Sequence, residues 1–561
     1  MAGPEAVAAA DPATPPEPPA GLPDGVVDAF PATRLQRGMF LHAVRDGAHL
    51  YHDVLSYTVD RRLEEGPLAG ALREAVAAHP ALRSAFAVDR PDGPVQLVHS
   101  DARIDCAFVD LTDLPEDARR ARLDSWAAEQ RRVPFDWSVP GLLRVFVHRT
   151  GEQQSVLSLS VHHTVLDGWS AATLVTELLL AHDRLARGLP TVARPADTAM
   201  RRYAELERTT ERDSGHRSFW RDYLDGVRPT PLPDASPDGS ATLPLVEVRT
   251  PLPAGAAERF AALARTCGVP MKSAYLAVHL AALSFMAGET EVTTGLVTSG
   301  RLEEAGGDTA LGLFLNTVPL RAEVADLNWP ELLASVFDNE AGLYAHRRFP
   351  LERIQAETGT ARLCPTAFNY TDFHVYDGLV RAGIALSDVR YHEETDFPLL
   401  VAVHEDPFGG PATLVVGHHT DRPEDGLAAR YAEFFAQLLR HAATDPHQPA
   451  VRALGQWARE RGATAGLAPG AAPTAPGSLL PVLAERLGGD QDAPLLTDGR
   501  TEWTRGRIAA RVGELRTRLA GRGVGPGDRV ADDDPSTVIT ASEEHEIRRW
   551  HPAVATGIPA P

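Results

Sequence analysis

The 561-residue sequence predicts a mixed α/β (α+β) fold built in two halves. Three observations lead there. Helix-period segments such as "PLAGALREAVAAHPALRSAF" alternate with strand-like runs such as "LLRVFVHRT" and "QSVLSLSV". A Pro/Asp/Ser-rich break, "PTPLPDASPDGSATLPL" at 229–245, falls near the middle of the patterned region, and a second helix-and-strand half follows it. The length also exceeds one ordinary core and suits two to four units of about 100–200 residues each.

Residues 1–27 are dense in Pro and Ala, cannot bury a core and read as a disordered leader. They lack the basic region and apolar core of a signal peptide, and no run in the chain approaches transmembrane length. The first half spans 28–228 and the second 229–450. In the second half, "KSAYLAVHLAALSFMAG" predicts a buried helix and "EVTTGLVTSGR" a strand running into a loop. A linker at 451–477 contains "ATAGLAPGAAPTAPG". In the piece at 478–531, Ile508, Val512, Leu515 and Leu519 recur at helical spacing before "GRGVGPGDRV" ends the helix. The tail at 532–561 is polar and expected to be poorly ordered.

Composition narrows the function. Apolar residues make up 43 % of the chain and charged residues 23 %, ordinary for a soluble globular protein. With 55 basic against 76 acidic side chains and no basic cluster interleaved with aromatics, nucleic acid is not an expected partner. Cys106, Cys267 and Cys364 lie far apart without CxxC spacing, which argues against a disulfide framework or thiolate metal site and for a reducing, cytoplasmic setting.

One stretch carries chemistry: "LSLSVHHTVLDGWSAATLV", from Leu157. Leu157, Leu159 and Val161 alternate with serines, as in a strand with one face on a core. Ser170 is suited to cap a helix whose apolar stripe includes Leu174, Leu178 and Leu179. His162, His163 and Asp167 therefore occupy a tight strand-to-helix turn, where rigid neighbours can hold side chains toward a cavity. The plain alternative is that the histidines merely end a strand and Asp167 makes a local turn bond. A metal site is disfavoured, because adjacent histidines point to opposite sides of a strand and no third ligand lies at helical spacing. A serine-hydrolase triad is disfavoured because no GxSxG occurs.

Further segments in the same order tip the balance. HHTVLDGWS resembles the HHxxxDG signature of the condensation domains of nonribosomal peptide synthetases. "ATRLQRGMFLHAV" (32–44), "HPALRSAF" (79–86, with Arg83 at the fixed arginine), "VPFDWSVPGLLRVFV" (133–147), "GVPMKSAYLAVHLAALSFMAGETEVTTGLVTSGR" (268–301), "LGLFLNTVPLR" (311–321), "HRRFPLERI" and "TAFNYTDFH" resemble that family's other motifs. The resemblance covers about residues 28–450. Residues 478–531 are similar to the first segment of an adenylation domain and stop short of any phosphate loop. "ITASEEHEIRRWHPAVATGIPAP" (539–561) resembles the linker that normally precedes such a domain, yet here it follows the fragment.

The resemblance implies two chloramphenicol-acetyltransferase-like subdomains in a V-shaped pseudo-dimer, with an active-site tunnel at their interface. It implies amide-bond formation between a carrier-bound acyl or aminoacyl thioester and an amine. By resemblance His163 is the catalytic residue, as a base or as a positioning group. His162 supports the turn, and Asp167 forms a structural ion pair with an arginine of the second half, Arg301 first and Arg321 second. Gly168 leaves room for the thioester to approach. Trp169, Asn316 and Asn369 are candidates for the tunnel, although core or loop hydrogen bonding is as good a reading of Asn369 and a better one of Asn316. No metal and no resident cofactor are implied; 4'-phosphopantetheine arrives on donor and acceptor carrier proteins. An adenylation domain is the further partner, neither membrane nor nucleic acid is expected, and the domain is expected to be monomeric. A Met start directly ahead of this body suggests a donor carrier on another chain. Ester formation with a hydroxyl acceptor and a non-catalytic carrier-binding platform are the alternatives. The intact HHTVLDG argues against heterocycle formation, and "DGWS" favours condensation over epimerisation. The pair His418/His419 in "GHHTDRPED" and the "YHEETDFPLL" segment are read as non-catalytic.

Overall fold

The computed structural model describes residues 22–46, 50–232, 243–324, 326–360, 362–392, 395–420, 426–460, 494–497, 502–508 and 510. The chain forms two compact units, residues 1–469 and 470–561. The first unit begins β1 (Val26–Pro31), α1 (Arg34–Asp46), β2 (His52–Val59), α2 (Glu65–Ala78), β3 (Ser84–Ala87), β4 (Val95–His99), β5 (Asp105–Asp110) and α3 (Glu116–Gln130). Next come β6 (Leu143–Gly151), β7 (Gln154–His162), α4 (Gly168–Ala186), α5 (Ala199–Arg212) and α6 (Ser214–Tyr223). Then follow β8 (Leu245–Pro251), α7 (Ala254–Thr266), α8 (Met271–Ala287), β9 (Glu291–Ser299), β10 (Leu315–Glu323), α9 (Trp329–Leu343), α10 (Leu351–Thr358) and β11 (Thr366–Thr371). The unit closes with α11 (Asp377–Arg381), β12 (Leu386–His392), β13 (Leu399–His404), β14 (Thr413–His419), α12 (Leu427–Thr444) and α13 (Ala450–Glu460).

These strands build two large mixed sheets, one per half. The first runs β12-β2-β7-β6-β5 and is antiparallel except where β5 meets β6. The second runs β10-β9-β11-β13-β14-β8, with β11 parallel to both of its neighbours. A small antiparallel sheet, β1-β4-β3, completes the first half.

The alternation in β7 does what the sequence suggests on one face: Leu157, Leu159 and Val161 join a core with Leu68 and Leu72 of α2 and Leu174 and Leu178 of α4. The other face is buried too, which the serines do not suggest. Ser158 Oγ lies 2.9 Å from Ser56 Oγ and Ser160 Oγ 2.8 Å from a ring nitrogen of His52, so these hydroxyls sit under cover with partners. In the second half, α8 is apolar on all sides and buried from Ser273 to Met286, packing with Phe260, Trp329 and Phe435. Gly288 ends it in the left-handed region at φ 69°, its N–H returning to Ser284 O.

Three expected boundaries shift. The 228/229 division is not a structural seam. Trp220 and Leu224 already belong to the second core, while Tyr376, Leu379 and Leu386 return to the first, and β12 pairs with β2. Hydrogen-bonded strand exchange of this kind leaves no local signature. The linker expected from 451 begins as α13, because Ala450, Leu454 and Ala458 form a helical stripe buried in the second core. β1 starts at Val26, inside the expected leader; residues 1–21 lie outside the described residues.

In the second unit, β15 (Pro494–Thr497) pairs antiparallel with β16 (Glu502–Thr504), followed by a helical turn at 505–508. Val512, Leu515, Leu519, the remainder of the expected 451–477 linker from residue 461 and the 532–561 tail lie outside the described residues. Among the described residues no single helix is long and apolar enough to cross a membrane. α7 and α8 meet that test only as a pair bent by 112°.

Candidate active site at the HHxxxDG turn

β2 sets the site up. Its ladder with β7 places His52 opposite His162 and Asp53 opposite Val161. Side chains alternate along a strand, so the two histidines of the motif diverge. His162 shares the His52 face and is sealed in: the ring is stacked 6.1 Å from Phe40, meets the edge of Trp137 at 5.8 Å and holds Thr164 Oγ1 at 2.8 Å through Nδ1. Burial pushes its pKa down to about 3, so it is neutral and structural.

His163 takes the other direction. Its N–H donates to Tyr51 O at 2.8 Å, and its Nδ1 lies 2.7 Å from Asp53 Oδ2. The His163 side chain keeps 18 % of its surface, while Asp53 is buried. A carboxylate against Nδ1 draws the proton there, which leaves the basic lone pair of the neutral ring on Nε2.

The turn is then locked across both halves. Asp167 caps α4 by accepting from Ser170 N at 2.7 Å and accepts from Phe314 N at 3.1 Å, with its own N–H on Gly312 O at 2.9 Å. Arg301, just beyond β9, donates to Asp167 Oδ1 at 2.8 Å, Ser170 Oγ at 2.6 Å and Ala310 O at 2.6 Å. Its guanidinium also lies 4.4 Å from the Phe314 ring centre. Asp167 is 1 % exposed, so this is a buried charge pair. Arg321, the second choice, pairs with Glu291 instead.

The remaining candidates divide. A Cβ on Gly168 would lie 3.3 Å from Phe373 Cζ, in the segment leading to α11. Trp169 donates from its indole to Asp308 O at 2.7 Å and packs edge-on to Phe373 and His374. With Arg301, Glu303, Tyr344, Arg347 and His374, Trp169 lines a cavity of about 580 Å³. His163, Asn316 and Asn369 are not among its lining residues. Asn316 is buried and donates both amide hydrogens, to Arg347 O and Phe349 O at 2.8 Å each, so its position is that of a strand tie rather than a tunnel wall. Asn369 sits half-buried on β11 in register with Ala402 of β13. His419 holds Leu243 O and Thr395 O through its two ring nitrogens, fixing the end of β14.

Sequence reasoning missed three supporting residues. Asp53 is adjacent to His163 only through strand pairing. Tyr51 adopts φ 61°, a left-handed conformation costly for a bulky residue, and its carbonyl receives the His163 N–H. Its phenol is pinned by His42 Nδ1 at 2.8 Å and Asp396 Oδ1 at 3.2 Å. Gln36, inside the 32–44 motif, donates to Thr164 O at 2.8 Å and Gln96 at 3.0 Å, bracing the turn from α1. Among the described residues no cluster of three or more His, Cys, Asp or Glu could hold a metal.

The condensation-domain family model matches residues 26–454. The chain is 36 % identical over 442 residues to the AMB antimetabolite synthetase AmbE of Pseudomonas aeruginosa, covering 77 % of this chain and 20 % of AmbE. It is 27 % identical over 452 residues to the chondramide synthase cmdD of Chondromyces crocatus, covering 76 % of this chain and 11 % of that protein. It thus spans a fifth or less of these relatives. The fold is similar to that of the condensation domain of the monacolin K polyketide synthase MokA (TM-score 0.66, 17 % identity, 76 % of this chain and 100 % of that one). This chain belongs to the condensation-domain family, the acyl-transferring domains of nonribosomal peptide synthetases.

Proposed function

We propose that this chain joins a carrier-bound acyl or aminoacyl thioester to an amine, forming an amide, with His163 as the catalytic residue. What supports the reading most is the contrast within the motif: His162 is sealed and neutral, while His163 stays reachable and oriented. The amine attacks the thioester carbonyl, a C–N bond forms and the carbonyl electrons move to oxygen. The nitrogen then carries a proton it must lose, and Nε2 of His163 takes it. Collapse breaks the C–S bond, and the proton passes to the departing pantetheine sulfur. An α-amino group has a pKa of about 8, so part of it is neutral before attack, and His163 also serves by holding the amine in line.

Asp167 and Arg301 act on this chemistry only by fixing the turn. Gly168 is assigned the thioester's approach and Trp169 the tunnel wall. The two halves are read as the arms of a V enclosing a tunnel, entered by donor and acceptor carriers from opposite faces. Residues 478–531 are read as the start of an adenylation domain.

The test is His163→Ala on the full chain, given a carrier-bound or soluble donor thioester with either an amine or a hydroxyl acceptor and read by product mass. Folded protein with product formation reduced by about 10²-fold or more is the expected result. Wild-type turnover by a folded variant excludes the role, and product from the hydroxyl acceptor alone replaces amide by ester formation.

A further inference from the structure

The geometry points to Asp53 as a positioning residue for the condensation reaction, setting the tautomer of His163 and balancing the charge it acquires. This rests on His163 being the group that takes up the amine proton.

The arrangement is held from both sides. The β2–β7 ladder continues His163 onto the Asp53 and Val161 face, and the Tyr51 carbonyl holds the His163 backbone. The carboxylate oxygen and Nδ1 are 2.7 Å apart, a charge-assisted distance whenever the ring is protonated. A buried carboxylate is costly to desolvate, so Asp53 is a poor choice for a strand that needs only packing; valine or threonine would serve the ladder better. Beside an imidazole that must gain and lose a proton, the same carboxylate has a use. It keeps hydrogen on Nδ1, directs the lone pair on Nε2 toward the reacting nitrogen, and stabilises the imidazolium after transfer.

The surrounding ionisable groups do not duplicate this. His52, next to Asp53 on β2, and His162 on β7 lie on the opposite face, and burial lowers them to about 4 and about 3. His42 of α1 and Asp396, ahead of β13, meet each other and the Tyr51 phenol, two positions before Asp53.

The experiment compares the unaltered 561-residue chain, Asp53→Asn, Asp53→Glu, His163→Ala and the Asp53→Asn/His163→Ala double variant with a soluble donor thioester and an amine. Asp53→Asn keeps the shape and removes the charge. Its kcat is expected to fall by about 10- to 100-fold with the donor KM unchanged, and Asp53→Glu to recover part of the loss. The acidic limb of its pH–rate profile moves to lower pH, because losing the carboxylate favours the neutral ring. In the His163→Ala background the second substitution costs nothing more. A folded Asp53→Asn with wild-type kcat and an unmoved limb overturns the assignment while His163→Ala remains inactive; wild-type turnover by His163→Ala overturns the catalytic reading instead. Should Asp53→Asn not fold, ¹⁵N-histidine spectra of the unaltered chain decide. A His163 signal, assigned by its loss in His163→Ala, with hydrogen on Nδ1 supports the role, and hydrogen on Nε2 overturns it.

Discussion

Replacing Arg301 by methionine strips a buried carboxylate of its cation. Asp167 would keep two N–H donors, Ser170 at 2.7 Å and Phe314 at 3.1 Å, but lose the guanidinium at 2.8 Å. Ser170 Oγ and the Ala310 carbonyl lose a donor as well. Breaking one side of a buried pair costs about 3–5 kcal/mol. Asp167→Asn should cost a comparable amount through the converse fault: asparagine still caps α4, but Arg301 is left without its anion. The double variant, Asp167→Asn with Arg301→Met, leaves neither charge exposed to a dry interior. It should be destabilised by less than the sum of the singles, with a coupling of about 2 kcal/mol or more. Urea unfolding of the full chain, followed by circular dichroism and tryptophan fluorescence, measures all four corners. Additivity within about 0.5 kcal/mol would mean that the charge pair does not hold the turn, and the reasoning fails.

Two further outcomes follow from packing and burial. Gly300→Ala puts a Cβ 2.6 Å from Tyr203 Cε2 and 2.9 Å from its hydroxyl, against a fully buried ring, so it should cost about 1–3 kcal/mol; a midpoint in urea equal to wild type would show that the ring gives way freely. Burial pushes Glu207 up to about 7 from an ordinary 4.5, while the Arg34 N–H at 2.8 Å opposes the shift. Between those values the unfolded chain releases its proton first, so stability from this group declines as pH rises through that window. Glu207→Gln keeps the Arg34 acceptor and removes the ionisation, so its advantage over wild type should grow to roughly 3 kcal/mol by about pH 8; a difference that stays flat from about pH 5 to 8 rejects this account.

Features encoded over short range are readable from the chain alone. The period-2 pattern of Leu157, Leu159 and Val161 marks β7, and the mostly apolar stretch from Ala274 to Ala287 marks a helix buried on every side. The pairing of Asp167 with Arg301, 134 positions apart, comes from resemblance, because no local pattern joins such distant residues. Asp53 escapes notice because its meaning depends on register: one position along β2 and it would face His52's neighbours instead. Nothing in the sequence of β12 says which sheet it joins, and only hydrogen bonds to β2 reveal where it goes. α13 is the avoidable miss, since Ala450, Ala453, Leu454, Trp457 and Ala458 already fall on one helical stripe. Asn316 reads in sequence more as a scaffold group than as a tunnel wall, and its two carbonyl partners fit the former.

The excursion of β12 makes the halves inseparable by scissors. A gene cut at residue 228 would yield a first fragment whose β2 presents a bare rim of peptide groups, inviting sheet growth from chain to chain. The complementary fragment would carry an orphan ribbon with no template. Any hinge between the halves must flex around this hydrogen-bonded tether, so motions that rock or slide can occur while it stays intact, and full parting requires a local unzipping first.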